Sequence, residues 1–357
     1  MTYDCLAFIG RFQPFHLGHR HVIANALGRA RHVIVLIGSP NVARSMKNPF
    51  TFDERAAMLR AVFPEETAEG RLIMLPVDDY AYNDTAWVVA VQRAVKRAVL
   101  NHANPKGATP HGLKDFKVSL VDYSNDTSSH YLKSFPEWDL VEIEAPYGSI
   151  AATDIRRDYF CRAPILPRDT CPDEVVTQLE AFRLTPAFAW LVAEVEWAAD
   201  YKKSWEAAPY APTFVTVDCI VEQSGHVLLV RRRDAPGKGL LALPGGFVGA
   251  NERLRDSVVR ELKEETSIAD QKGPIPPAML ASFIDDSATR VFDAPDRSER
   301  GRTITHAYLI RCPDRRKLFK VKGGDDAAHA DWYRLGDLNP REFFEDHWFI
   351  LQTMTGI

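Results

Sequence analysis

The chain has 357 residues, of which 46% are hydrophobic and 26% charged, an ordinary globular composition that excludes a disordered, collagen-like or coiled-coil protein. This length exceeds what one hydrophobic core normally serves, so two domains are expected. Lys and Arg number 44 against 48 Asp and Glu, for a net charge of −4, and this balance argues against a protein that grips nucleic acid.

The first half of the chain alternates short apolar runs with longer helical patterns. Strands are predicted over 4–9, 32–37, 71–77, 116–122 and 139–144, and helices over 18–30, 52–63 and 85–101. Strands that alternate with helices of this length predict a parallel sheet with crossover helices. Such sheets bind ligands outside the carboxyl ends of their strands.

The pattern changes in the second half, after a helical stretch over 173–200. Strands are predicted over 213–221, 226–231, 279–284 and 303–311, and one strong helix over 254–266. The first two strands flank a turn at Gln223-Ser224-Gly225. Several strands with one main helix predict an α+β domain with a mixed sheet.

Composition places the boundary between these patterns in a proline-containing stretch. We therefore expect an N-terminal domain over 1–187, a helical, Pro-containing linker over 188–209, and a C-terminal domain over 210–357.

The segment GRFQPFHLGH, residues 10–19, follows the first predicted strand and opens the first helix. Gly10 permits a close turn of the backbone, and Gly18 is expected to leave room for a ligand where the helix N-terminus favours a phosphate. His16 and His19 share one side of the first helical turn, so both could donate hydrogen bonds to a developing oxyanion. One alternative is a structural turn with incidental histidines; a dinucleotide fingerprint fails because no G-x-G-x-x-G is present.

This segment resembles the H-x-G-H signature of the nucleotidylyltransferases, and more narrowly the archaeal-type nicotinamide-mononucleotide adenylyltransferases. The family's second signature, I-S-x-T-x-x-R, is matched at 150–156, with Thr153 and Arg156 retained and Ala151 in place of the serine. The resemblance implies a Rossmann-like domain that transfers adenylyl from ATP to nicotinamide mononucleotide, giving NAD and pyrophosphate with Mg²⁺ on the triphosphate. It implies catalytic roles for His16, His19 and Arg156. It also implies substrate contacts for Gly10, Arg11, Phe12, Gly18 and Thr153.

Two further stretches are similar to segments of the same family. Asp79, Asn83 and Trp87 match the part that holds the nicotinamide nucleotide, where an aromatic plane stacks on a pyridinium and an Asn bonds the carboxamide. Trp87 as a core anchor of the following helix is the competing interpretation. Residues 125–132 resemble a segment near the adenylyl site. Arg44 and Arg55 are further candidates for phosphate contact, although isolated arginines are mostly solvated.

Acidic residues cluster on the helix predicted over 254–266. Glu261, Glu264 and Glu265 share one side of it, at a spacing where like charges repel. A divalent cation with a preference for oxygen ligands, Mg²⁺ or Mn²⁺, would bridge such carboxylates, and Arg260 could fix one of them. A solvated helix face is the competing interpretation.

The whole pattern from Gly246 to Ile268 resembles the Nudix box, with Ser267 where the family commonly has Gly. That resemblance implies a Nudix-fold hydrolase with Glu252, Glu261, Glu264 and Glu265 as metal ligands, the last three also catalytic. Ser267 follows the predicted helix, so the change would strain a left-handed turn without touching a ligand.

The loop over 292–302 resembles the corresponding region of ADP-ribose pyrophosphatases, which implies that Arg297 and Arg302 clamp a diphosphate or ribose; a solvated basic loop is the alternative. Segments 325–332 and 344–347 resemble late Nudix regions. One acidic residue among them is expected to act as the base, and the choice stays open.

Together the two resemblances imply a bifunctional enzyme of NAD metabolism whose second reaction hydrolyses ADP-ribose to AMP and ribose 5-phosphate. One alternative is a transferase with a different adenylyl or cytidylyl acceptor and a Nudix domain that acts on NADH or a dinucleoside polyphosphate. Another is a Nudix domain that senses a ligand. ATP, nicotinamide mononucleotide, NAD and ADP-ribose are the expected partners, without nucleic acid or membrane; a homo-oligomer stays open.

No apolar run of membrane-spanning length and no secretory signal are evident, so a cytoplasmic location is expected. The scattered, odd-numbered cysteines fit a reducing compartment better than a disulfide or zinc framework; they are Cys5, Cys161, Cys171, Cys219 and Cys312.

Overall fold

A computed structural model describes residues 3–103, 117–123, 133–144 and 150–357. The chain divides into two units, Met1–Val192 and Ala193–Ile357. Among the described helices none combines the length and apolar character needed to cross a membrane.

A five-stranded sheet forms the centre of the N-terminal unit. Its strands are β1 (Tyr3–Gly10), β2 (Ala30–Gly38), β3 (Leu72–Val77), β4 (Val118–Tyr123) and β5 (Asp139–Ile143). Their order is β3-β2-β1-β4-β5, and every neighbouring pair is parallel. Because β1 is central and its neighbours lie on both sides, the carboxyl end of β1 is a switch point where α/β sheets bind ligands. The predicted Rossmann-like parallel sheet is confirmed.

Helices follow these strands as crossover and C-terminal elements. They are α1 (Leu17–Arg29), α2 (Phe52–Val62), α3 (Pro64–Ala68), α4 (Asp84–Ala98), α5 (Ala152–Tyr159), α6 (Asp173–Phe182) and α7 (Pro186–Lys203). Apolar residues of α4, Val91 and Val95, pack on Ile34 and Leu36 of β2 in one buried cluster. The stretch predicted as one helix over 173–200 is two helices, since a short turn separates α6 from α7.

The division between the two units falls inside α7. Phe188, near its start, packs against Phe160 and Phe182 of the N-terminal unit, at ring-centroid distances of 5.6 and 6.4 Å. Glu194, the second residue of the C-terminal unit, accepts a hydrogen bond from the Gly237 N–H of the same unit, at 2.7 Å. A continuous helix therefore occupies much of the segment predicted as a linker.

The C-terminal unit is built on a mixed sheet. Its strands are β6 (Phe214–Gln223), β7 (His226–Arg232), β8 (Leu241–Ala242), β9 (Gly245–Phe247), β10 (Ala269–Asp270), β11 (Gly273–Pro274), β12 (Arg290–Phe292), β13 (Thr303–Arg311) and β14 (Ala327–Arg334). The central order is β12-β13-β6-β7-β14, with β8 paired to β7, β9 paired to β6, and a separate β10-β11 pair. Only β13 and β6 run parallel among the central pairs, which confirms the mixed sheet.

Three helices complete this unit: α8 (Leu254–Thr266), α9 (Pro277–Ser282) and α10 (His347–Thr355). Val258 and Leu262 of α8 are fully buried against strand residues such as Val217 and Leu228. On the acidic side of α8, Glu261 and Glu265 are also buried, whereas Glu264 is exposed. The turn predicted at Ser224-Gly225 joins β6 to β7 with positive φ at both positions, as a two-residue hairpin requires.

One predicted strand is wrong. Residues 279–284 fall largely in α9, because Pro277 occupies the first helical position and is followed by the helix formers Ala, Met and Leu. Ile284 alone bridges to Ile310 of the sheet. The apolar run thus reaches the core from a helix and not along a strand.

Ser267 ends α8 in the left-handed conformation, with φ 44°. A side chain is disfavoured there relative to glycine, so the sequence-based expectation of a strained left-handed turn at this position agrees with the structure. Ser267 is the C-cap residue and follows the last residue of α8, Thr266.

Candidate functional site

The two histidines of the first signature meet at the start of α1, directly beyond β1. The His16 and His19 rings stack with centroids 3.6 Å apart. The His16 N–H donates to Nδ1 of His19 at 3.3 Å, so in the neutral ring the His19 proton resides on Nε2. Phe12 and Phe15 flank the His19 ring at 4.8 and 5.7 Å. The structure therefore brings both predicted catalytic imidazoles together and fixes one tautomer.

Burial keeps both imidazoles uncharged. It lowers the pKa of His16 to about 4. For His19, burial and then the neighbouring His16 hold the pKa well below the ordinary value of 6.5. At neutral pH the pair consequently acts through neutral N–H donors.

We expect the N-terminal unit to lose stability as pH falls from 6.5 towards 4. Unfolded His16 binds a proton in this window while the folded form does not, so acid favours unfolding, by about 2 kcal/mol at pH 5. Urea midpoints of wild type and His16→Asn at pH 7 and pH 5 measure this. Asn does not titrate, so the variant should lose less stability on acidification; an equal loss in both proteins would contradict the neutral assignment of His16.

Two other residues of the signature serve packing. A side chain at Gly18 would place its Cβ 2.3 Å from the Tyr123 hydroxyl and 3.0 Å from the His16 ring. Packing against these side chains is therefore one reason for a glycine at this position, and the room that Gly18 is expected to leave for a ligand stays a prediction. Phe12 is 1% exposed with φ 53° and supports the His19 ring. Gly10 ends β1, and Arg11 beside it is exposed.

Residues of the second signature, 150–156, contact residues of the first, 10–19. Arg156 is buried and donates to the Gln13 carbonyl at 2.7 Å and to Oγ1 of Thr153 at 3.1 Å. Gln13 in turn pairs with the Phe50 backbone through two hydrogen bonds of 2.9 Å. Ala151 is the N-cap of α5 and offers no side-chain cap. The structure therefore brings Arg156, Thr153 and the histidine segment to one place, with a cation beside the predicted phosphate position.

Arg55 is a residue whose role the sequence did not reveal. Its side chain is fully buried and donates to the carbonyls of Arg11, Gly38, Ser39 and Thr51, at 2.6 to 3.1 Å. Burial lowers its pKa to about 10. Arg55 thus joins the chain beyond β1 to the chain beyond β2, the two loops that border the site.

Arg44, the other arginine considered for phosphate contact, is paired within the protein. It forms a two-pronged ion pair with Glu54, at 2.7 and 2.8 Å. Neither Arg44 nor Arg55 is therefore directed at a ligand in this arrangement.

The predicted nicotinamide-binding residues lie near the carboxyl end of β3. Asp79 accepts from the Ser39 N–H at 3.2 Å, and Asn83 caps α4 by accepting from the Ala86 N–H. Trp87 is partly buried and packs edge-on against Phe135, at 5.8 Å between ring centroids. The core-anchor role of Trp87 is therefore present, while ligand contact at Asp79, Asn83 and Trp87 stays a prediction. Residues 125–132 lie outside the described ranges.

In the C-terminal unit, one guanidinium joins three of the four predicted metal ligands. Arg260 makes two hydrogen bonds to Glu252, at 2.7 and 2.9 Å, one to Glu261 at 2.8 Å, and one to Glu264 at 2.9 Å. Glu252 also accepts from Ser257, at 2.8 Å. These bonds lower the pKa of Glu252 to about 2, the Arg260 bond being the largest cause. Glu252 therefore orients Arg260.

The fourth predicted ligand, Glu265, is held by the backbone. It accepts from the Gly245 N–H at 2.9 Å, and burial raises its pKa to about 8. Burial also raises the pKa of Glu261. A Cβ at Gly246 would lie 2.6 Å from the Glu261 carboxylate, so glycine is required for this close approach.

The oxygen atoms of these carboxylates are chemically suitable ligands for a divalent ion. As they stand, no three acidic, His or Cys side chains within the described ranges are grouped to hold a metal, and Arg260 is the cation at their centre. Burial raises the pKa of Glu261 and of Glu265, and Arg260 bonds only the first of these two, so a hard ion with oxygen ligands would supply further counter-charge. Glu261, Glu264 and Glu265 are the residues that would hold it; the metal roles of these three and of Glu252 stay predictions.

A cleft beside Glu265 carries other arginines than those predicted. It is lined by Thr216, Asp218, Val230, Arg232, Ala242, Leu243, Gly245, Gly246, Glu265, Arg297, Arg300, Asp326, Phe344 and His347. Arg297 lines it but is buried and paired with Asp346 through two bonds of 2.8 and 2.9 Å. Arg302 donates to the carbonyl of Asp293 in its own loop. Arg232 and Arg300 are the cleft-lining arginines that the sequence analysis missed.

The acidic residues of the two late segments lie in different surroundings. Asp326 is exposed and lines the cleft, whereas Asp346 is committed to Arg297. Glu345 has φ 44°, accepts from the Glu299 N–H at 3.1 Å, and has its pKa raised to about 7 by burial. Which of these accepts a proton from water stays a prediction.

Comparison with known proteins assigns each unit separately. A NUDIX domain model matches residues 212–354, and a cytidylyltransferase-like model matches residues 7–101. The nicotinamide/nicotinic acid mononucleotide adenylyltransferase of Acinetobacter baylyi is 38% identical over 158 residues, 44% of this chain and 76% of that protein. The ADP-ribose pyrophosphatase of Methanocaldococcus jannaschii is 36% identical over 138 residues, 39% of this chain and 70% of that protein.

Solved structures also span both units. The bifunctional NMN adenylyltransferase/ADP ribose pyrophosphatase of Francisella tularensis, complexed with AMP and a manganese ion, is 33% identical with a TM-score of 0.87, covering 99% of each chain.

Proposed function

The chain belongs to the family of bifunctional NMN adenylyltransferase/ADP-ribose pyrophosphatases, and we propose that each unit carries one of the two activities. The N-terminal unit forms NAD and pyrophosphate from ATP and nicotinamide mononucleotide. The C-terminal unit hydrolyses ADP-ribose to AMP and ribose 5-phosphate. The observation that carries the proposal is the match of this one chain to a bifunctional relative over 99% of each chain.

Adenylyl transfer requires little covalent help from the protein. The phosphate of the mononucleotide is already an anion and attacks the α-phosphorus of ATP, so no general base is needed. The neutral imidazoles of His16 and His19 donate hydrogen bonds to the phosphates, and Arg156 adds a permanent charge. Mg²⁺, when it arrives with ATP, neutralises part of the triphosphate charge.

Hydrolysis depends on the acidic side of α8. Glu261, Glu264 and Glu265 would hold the divalent ion, and Arg260, oriented by Glu252, reduces the repulsion between the charges of Glu261 and Glu264. Arg232 and Arg300 bind diphosphate oxygens in the cleft. Mg²⁺ or Mn²⁺ bound there neutralises charge on the diphosphate and lowers the pKa of a coordinated water.

Product analysis of the full chain and of two fragments tests the proposal. The fragments, 1–203 and 186–357, overlap so that each keeps the whole of α7. We expect NAD from the full chain and the first fragment, and AMP with ribose 5-phosphate from the full chain and the second, all with Mg²⁺. NADH and a dinucleoside polyphosphate serve as competing substrates. Preference for either over ADP-ribose would contradict the substrate assignment, and inactivity of both fragments would contradict separate sites. A cytoplasmic location and a homo-oligomer stay predictions.

A further inference from the structure

His347 lines the cleft beside Glu265, and the reaction described above gives it no role. It is the first residue of α10 and is 6% exposed. The same cleft is lined by Arg232, Gly245 and Arg300. Buried polar groups normally have hydrogen-bond partners, so a partner is expected for each of the two ring nitrogens of His347.

One hydrogen bond determines where the ring proton lies. The Leu243 N–H donates to Nδ1 of His347 at 3.0 Å, and a nitrogen that accepts carries no proton, so the neutral ring is protonated on Nε2. In the described ranges this is the ring's one hydrogen bond. The Nε2–H group is therefore available to a ligand.

The surroundings keep the ring neutral. Burial lowers the pKa of His347 to about 3, and the cations Arg297, Arg232 and Arg300 act in the same direction against the opposing Asp346. A protonated Nε2 also excludes this nitrogen as a metal ligand, since a metal binds the unprotonated lone pair. The ring can thus donate one hydrogen bond without adding charge beside the acidic side of α8.

We propose that Nε2–H of His347 donates a hydrogen bond to a diphosphate oxygen of the nucleotide substrate bound in this cleft. This inference rests on the proposed hydrolysis of a nucleoside diphosphate sugar in the C-terminal unit. Arg232 and Arg300 of the same cleft, which also contains the carboxylates of Asp218, Glu265 and Asp326, can bind an anionic group with several acceptor oxygens. The competing role is structural: His347 would only satisfy the Leu243 N–H.

Two isosteric variants separate these roles. In His347→Asn the amide oxygen takes the place of Nδ1 and keeps the bond from Leu243, but nothing replaces Nε2. In His347→Gln the amide nitrogen takes the place of Nε2, while the Leu243 N–H loses its acceptor. A ligand role predicts loss of function in the first variant, and a structural role predicts loss of stability in the second.

The test measures kcat/KM for ADP-ribose with Mg²⁺ and the melting temperature, using the full chain. We expect His347→Asn to lose about 10- to 100-fold in kcat/KM, as for removal of a hydrogen bond to a charged group, at a nearly unchanged melting temperature. His347→Gln should retain more activity than His347→Asn while melting lower. Wild-type kcat/KM in His347→Asn would overturn the proposal.

Binding of ADP-ribose, measured by calorimetry without added metal, distinguishes failure of this inference from failure of the proposed function. If wild type binds ADP-ribose but does not hydrolyse it, the hydrolysis is wrong, and weaker binding by His347→Asn still supports the hydrogen bond. Equal binding by wild type and His347→Asn overturns it.

Discussion

His19→Ala should lower kcat for NAD formation by about 10² to 10³, the cost of removing one preorganised donor to transition-state charge. The donor is Nε2–H, because Nδ1 of His19 accepts from the His16 N–H at 3.3 Å. Steady-state rates with ATP, Mg²⁺ and nicotinamide mononucleotide measure the effect. ADP-ribose hydrolysis by the same protein should stay at the wild-type rate, since its residues belong to the other unit.

Two control variants guard against a folding artefact. His19→Asn keeps an acceptor for the His16 N–H and should lose activity without loss of melting temperature. His21→Ala removes a partly exposed imidazole of the same helix, whose ring bonds Asn25, and should be nearly as active as wild type. Near-normal turnover in both His19 variants would remove His19 from the mechanism.

Glu265→Gln should weaken both metal binding and ADP-ribose hydrolysis, by at least about 10- to 100-fold, the range seen for groups one step removed from a metal. The amide keeps the shape and can still accept from the Gly245 N–H at 2.9 Å, but it removes the charge that a divalent ion needs. Titration of activity with Mg²⁺ and Mn²⁺ measures the shift, and excess metal should restore part of the rate.

The matched control is Glu342→Gln, an exposed carboxylate in the same unit whose nearest ion-pair distance, to Arg231, is 3.8 Å. It should leave metal dependence unchanged, and NAD formation should be unaffected in both variants. A Glu265→Gln protein that hydrolyses ADP-ribose at the wild-type rate and metal concentration would show that Glu265 is not a ligand.

The fold could be predicted from the sequence for those elements whose residue pattern is contained in a short stretch of the chain. The alternation of strands and helices predicts the parallel sheet, and the Ser224-Gly225 turn predicts the β6–β7 hairpin. The strand predicted over 279–284 failed because a short apolar run suits either a strand or a buried helix. Pro277 at the first helical position decides for the helix.

The site could be predicted from the sequence where its residues lie close together along the chain. The histidine pair and the α8 carboxylates lie within single turns of helix, so spacing brings them together. Contacts between residues that are far apart in the sequence cannot be predicted in this way. Arg297 forms an ion pair with Asp346, 49 residues later, and Arg55 is buried and donates hydrogen bonds to four backbone carbonyls. Sequence alone could not show that Arg232 and Arg300 line the cleft instead of Arg302.

Arg260 at the centre of the acidic side of α8 has a consequence for how the hydrolase rests between turnovers. Its guanidinium contacts Glu252, Glu261 and Glu264 at once, so a positive charge built into the chain stands among the carboxylates before any ion arrives. If a divalent ion bound there leaves, Arg260 still balances part of the negative charge of Glu252, Glu261 and Glu264. The concentration of available ion can then change metal occupancy, and with it the rate of hydrolysis, without unfolding the C-terminal unit.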